Sequence, residues 1–104
     1  MELVVEVYRV ADRLPARERF ALADQMRRAA SSIPANIAEG NARAHRREYA
    51  HFLSIARGSL AELATHVETA RRVGYLSAAD LTRTLDLIRR VRQLLSKLMA
   101  RLST

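Results

Sequence analysis

Apolar residues recur every three to four positions along almost the whole chain, the spacing of helices buried on one side. In 100° steps, Leu3, Val7, Val10 and Leu14 share one face of a first helix over residues 2–13, with Glu6, Arg9 and Arg13 opposite. Pro15 suits the first turn of the next helix, where its missing N–H costs nothing. A second helix is expected over 16–39, with Leu22, Met26, Ala29, Ile33 and Ile37 inward. Its outer face carries Asp24, Arg27, Arg28, Ser31 and Glu39. Pro34 sits inside this pattern and removes one backbone hydrogen bond, which predicts a kink. Ser32 and Asn36 lie beside the stripe, positioned to satisfy the ladder that Pro34 breaks at Ala30. Gly40 is expected to end the helix in the left-handed conformation.

The loop from Asn41 to His45 leads to a third helix over 46–73, with Phe52, Ala56, Leu60, Leu63, Val67 and Ala70 inward. Gly74 is the stop signal and Leu76 the hydrophobic closure. Ser77, with Asp80 three residues on, resembles a capping box for a fourth helix over 78–102. Leu81, Leu85, Ile88, Val91, Leu95, Leu98 and Leu102 are its expected inner face. All connections are short, so the expected fold is all-α: an up-and-down antiparallel four-helix bundle, one domain over 1–104. Leu87, Leu94 and Met99 widen the stripe of the fourth helix, and Tyr49, Leu53 and Ile55 that of the third. Stripes broader than one seam needs point to a second packing surface, hence self-association.

Composition agrees with helices: three glycines and two prolines leave little turn material for strands. The absence of cysteine excludes disulfides, thiolate metal sites and a cysteine nucleophile. The start Met1-Glu2-Leu3-Val4 lacks the basic-then-apolar pattern of a secretory signal, and no run approaches a bilayer span. The expected location is therefore cytoplasmic, with no membrane contact. Gly58 costs about 1 kcal/mol mid-helix relative to alanine, and close approach of a neighbouring helix is the expected compensation.

No catalytic constellation emerges. Ser31, Ser32 and His45 lack a nucleophile elbow and an orienting acid, and no phosphate-binding glycine loop is present. Glu48 and His51 have the Glu-x-x-His spacing of di-iron bundles, but no second such pair exists. Glu62 and His66 fall on the same flank. A non-enzymatic protein without metal or cofactor is expected.

Charge changes the picture most. Basic residues number 18 against 11 acidic, a net +7, and Lys97 is the one lysine. Such a surplus suits a polyanion or an acidic protein face. Two basic groups stand out. One is Arg43, Arg46 and Arg47, with His45, at the second connection. The other is Arg83, Arg90, Lys97 and Arg101, within about 40° of one another on the last helix. No aromatic residue interleaves with this stripe, so contact led by phosphates is expected over base stacking.

One string is more specific. Arg27-Arg28-Ala29-Ala30-Ser31-Ser32-Ile33-Pro34-Ala35-Asn36-Ile37-Ala38-Glu39-Gly40 closely resembles the hallmark of a bacterial four-helix bundle family. That family was first named for proteins encoded in intervening sequences of 23S ribosomal RNA genes. Glu48-Tyr49, Phe52-Leu53 and the segment Ile55 to Leu63, which contains Gly58, look like its second signature, and Gly74-Tyr75-Leu76 matches the third. Asn41-Ala42 stands where members often carry an aromatic residue or a glycine, and Ala64 where they often carry a glutamate. The resemblance implies a basic, homopentameric barrel of bundles. It also implies kinship with the accessory proteins of diversity-generating retroelements, which bind a reverse transcriptase and nucleic acid. The combined expectation is an oligomeric bundle that binds RNA or DNA and assists a nucleic-acid enzyme such as a reverse transcriptase. The alternative is an adaptor whose arginines meet an acidic partner protein.

Overall fold

The apolar stripes converge on one core of Leu3, Val7, Val10, Met26, Ile33, Leu53, Leu60, Leu63, Val67, Leu81 and Leu95, all essentially inaccessible to solvent. The structure, a computed structural model, describes residues 1–103. Among these residues, four α-helices are present: α1 (Glu2–Ala11), α2 (Leu22–Asn41), α3 (Arg46–Arg72) and α4 (Thr82–Leu102). A 3-10 turn, Ala16–Glu18, separates α1 from α2, and no strand forms among the described residues. Each helix packs on the next and α1 closes on α4, while the diagonal pairs do not meet. This is the up-and-down bundle, 44 Å long and 24 × 19 Å across. No helix is long and apolar enough to cross a membrane.

Several element ends move from their expected positions. The second helix starts at Leu22, not at residue 16. Glu18 explains the delay: its carboxylate accepts the Leu22 N–H at 3.2 Å and the Tyr75 hydroxyl at 2.8 Å, tying the connection to the α3–α4 turn. Arg13 pairs with Asp80 at 2.9 Å at the same end. The helix then continues unbroken through Pro34 and through Gly40 to Asn41. Gly40 is not left-handed; the one positive φ among the described residues belongs to Gly74, at 88°. Gly40 is instead a close-approach position. A Cβ there would stand 2.9 Å from the Phe52 Cβ, 2.9 Å from a Tyr49 ring carbon and 3.2 Å from the Tyr49 carbonyl oxygen. Its missing side chain lets the ends of α2 and α3 meet.

Gly74 closes α3 in a Schellman motif: Tyr75 N–H donates to Ala70 O at 2.9 Å and Gly74 N–H to Arg71 O at 3.1 Å. Leu76 is buried beneath it. The capping box forms with Asp80 as partner: Ser77 N–H donates to its carboxylate at 2.8 Å, and Asp80 N–H to Ser77 Oγ at 3.1 Å. Regular α-helix begins only at Thr82, one turn beyond.

The buried faces are rotated slightly from expectation. On α3 Leu53 is fully buried and Phe52 only half-buried. On α4 Leu87 and Thr84 are buried while Leu85 is 47% exposed. On α2 Ala23 and Ala30 are buried while Leu22 and Ile37 are half-buried. On α1 Glu6 does not face solvent: it is 5% exposed and grips Arg9 through two hydrogen bonds of 2.7 Å. Its carboxyl is held below the usual range, first by the Arg9 hydrogen bonds, against the opposing effect of burial. Gly58, finally, has open space around it and no close neighbour to compensate its cost.

Candidate nucleic-acid interface

The connection between α2 and α3 gathers the first basic group because Gly40 permits a tight approach there. Arg43 pairs with Glu39 one turn back and lies over the Phe52 ring, 5.0 Å from its centroid. Arg46 and Arg47 open α3 on the exposed side, and Arg46 is engaged in further contacts. Arg43, Arg47, Glu48, His51 and Phe52 line a shallow depression of about 390 Å³. Arg27 and Arg28 lie at the far end of α2, away from this group: Arg27 donates to Arg19 O at 2.9 Å, and Arg28 pairs with Asp24 at 3.0 Å.

The second group is exposed on α4, as its 3.6-residue period requires, but its charges are not equivalent. Arg83 reaches Glu2 at 3.4 Å. Arg90 and Arg89 share Asp86, at 2.9 and 2.7 Å. Arg89 in particular, with Arg90 and Arg83 in support, holds the Asp86 carboxyl below the usual carboxylate range. Lys97 and Arg101 follow on a stretch of α4 without an acidic residue. The upper stripe is therefore partly neutralised by Glu2 and Asp86, and no acidic side chain follows Asp86 along α4. By the antiparallel order of the helices, this lower half of α4 runs toward the connection carrying Arg43, Arg46 and Arg47. That end of the bundle holds Arg43, Arg46, Arg47, Arg57, Lys97 and Arg101 against only Glu39 and Glu48.

The hallmark string builds the seam beside this end. Asn36 Nδ2 donates to Ser32 O at 2.8 Å and to Ser32 Oγ at 3.0 Å, and Ser32 Oγ lies 2.8 Å from Ser59 Oγ on α3. The polar pair thus links α2 to α3. Asn36 serves the Ser32 carbonyl, not the Ala30 carbonyl that Pro34 leaves free.

The sequence model of the 23S rRNA-intervening sequence proteins matches residues 1–97. This chain belongs to that family. The family match covers the hallmark string, the Gly40 approach and the Gly74 closure together. Its description names no enzymatic activity. No curated protein matches the chain.

Other candidate chemistry in this family member is sparse. Among the described residues, no group of three or more histidine, aspartate or glutamate side chains could hold a metal ion. Glu62 and His66 are 3.6 Å apart and alone. One feature escaped the sequence reading. Tyr8, Leu14, Arg19, Phe20, Ala23 and Arg27 line a notch of about 570 Å³ between α1 and α2. Phe20 is 85% exposed there. Its signal lay in the periodicity, since Phe20 falls about 120° from Met26 and so off the apolar stripe.

Proposed function

We propose that this protein is a non-enzymatic, self-associating bundle that binds RNA or DNA through phosphate contacts at its basic end, in the service of a nucleic-acid enzyme such as a reverse transcriptase. The observation that supports the reading is the uneven balance of basic and acidic residues between the two ends of the bundle. Glu2 and Asp86 offset most of the charge of Arg83, Arg89 and Arg90, whereas around Arg47 and Lys97 six basic residues stand against Glu39 and Glu48 alone. Arginine forks suit phosphate oxygens, and such contacts draw their free energy from released counterions. They carry no base information, so binding should be nearly independent of sequence. Symmetric association would repeat the basic end around an assembly and multiply its attraction.

The test is fluorescence anisotropy with a labelled oligonucleotide between about 50 and 200 mM salt, where several phosphate contacts change affinity steeply. Arg47→Glu with Lys97→Glu should weaken binding to every sequence alike and flatten the salt slope. Arg83→Glu with Arg90→Glu should do less, because those guanidinium groups already face carboxylates. No binding by the wild type at the low-salt end would sink the reading and leave the acidic-partner adaptor in its place.

A further inference from the structure

Phe20 is the most exposed large apolar side chain among the described residues, and it belongs to no packing layer. Leaving such a ring in water forgoes about 1.5–3 kcal/mol of burial. A phenylalanine also has no polar group to offer solvent, so an exposed ring is more informative than an exposed tyrosine or arginine. It does not stand alone. The Arg19 guanidinium lies 5.5 Å from its ring centroid, and Arg27 reaches over to the Arg19 carbonyl oxygen. Tyr8, 46% exposed, lines the same notch. Just behind, Arg17 lies 5.5 Å from the centre of the Tyr75 ring. Carboxylates compete little here. Glu18 is already bonded to Tyr75 and Leu22, and Asp12 is the one acid on the lining.

We infer that this notch is a stacking site for an unpaired nucleobase, with Phe20 as the platform and Arg19 and Arg27 receiving the adjoining phosphate. The inference rests on the nucleic-acid reading above and adds a preference for single strands. Aromatic faces interleaved with arginines are the chemistry by which proteins hold single-stranded nucleic acid: every base has a π-face to stack, and every linkage a phosphate to pair. A base inside a duplex already stacks on both sides and cannot enter. An amphipathic helix from a partner protein would need a row of apolar pockets at helical spacing, whereas this notch offers one aromatic platform rimmed by cations. The two recognition elements then divide the work. The basic end attracts any polyanion, and the notch selects unpaired bases.

The chain contains no tryptophan, so Phe20→Trp places a single reporter at the site. Its fluorescence should be quenched by a short oligouridylate and not by an RNA duplex of the same length. Phe20→Ala should weaken oligouridylate binding by about tenfold, leave duplex binding and the salt slope unchanged, and leave the assembly mass unchanged. Because the ring is exposed, this variant keeps the fold, which circular dichroism verifies. Equal losses on single strand and duplex, an unaltered single-strand affinity, or a drop in assembly mass would each overturn the inference, the last by assigning Phe20 to the contact between copies. If wild type binds neither nucleic acid, the phosphate reading itself has failed. If it binds both and Phe20→Ala changes nothing, only the stacking site has.

Discussion

Gly40 and Gly58 both lie inside helices, yet alanine should move stability in opposite directions at the two positions. At Gly58 the added methyl meets open space, so Gly58→Ala should stabilise by about 0.5–1 kcal/mol through backbone entropy alone. At Gly40 the methyl would crowd the Phe52 Cβ and the Tyr49 backbone, which cannot swing away as a flexible side-chain end would. Gly40→Ala should cost about 1–3 kcal/mol, the usual penalty of overpacking. Thermal melting of the two variants beside wild type checks both signs, and a stabilised Gly40→Ala would mean that α2 and α3 are not so closely joined. Thr84 is a second local anomaly: its hydroxyl is buried without a hydrogen-bond partner among the described residues.

At the scale of the element, α4 shows how a wide apolar arc is divided. Leu81, Leu87, Ile88, Val91 and Leu95 are buried, whereas Leu85 and Leu94 are 47% and 45% exposed. The helix must serve two neighbours, long α3 on one flank and short α1 on the other, and Leu87 takes the place expected of Leu85. Leu63 on α3 has no accessible surface. Leu63→Ala should therefore cost about 2–5 kcal/mol in chemical denaturation, while Leu85→Ala should stay within about 0.5 kcal/mol of wild type. Similar losses at both positions would show that the face of α4 is covered, either by another copy or by a different packing of the bundle.

At the scale of the molecule, the surplus apolar residues that point to association from sequence divide between core and surface, with Ile55 and Leu94 left exposed. Leu53 and Leu87 are core residues. Besides Tyr8 and Phe20 at the notch, the exposed set comprises Met1 and Val5 along α1, Ile55 and Val73 on and just after α3, and Leu85 and Leu94 on α4. These are the side chains that the proposed self-association would cover. If the expected pentamer forms, light scattering at micromolar concentration should give a mass near five chains, and Val5→Glu should lower it. A monomeric mass at that concentration would remove association from the proposal and leave each chain with its own +7 to attract a polyanion.

The sequence by itself determined the fold class, the number of helices and the closure of α3, because each rests on local rules. The 3.6-residue period defines a helix, and a glycine after the last turn admits a left-handed residue, as Gly74 does. It also showed the two basic groups, since their spacing is a property of one helix or one loop. Tertiary structure decided what depends on neighbours. Gly40 looks like a stop signal until α3 is seen pressing against it, and Gly58 looks compensated until the space beside it is seen to be empty. The late start of α2 follows from Glu18 reaching Tyr75, a residue far along the chain. The Arg83–Glu2 pair was hidden for the same reason, since it forms only because α1 lies antiparallel to α4. Pairwise electrostatics falls off with distance in space, and distance in space is what a linear pattern does not contain.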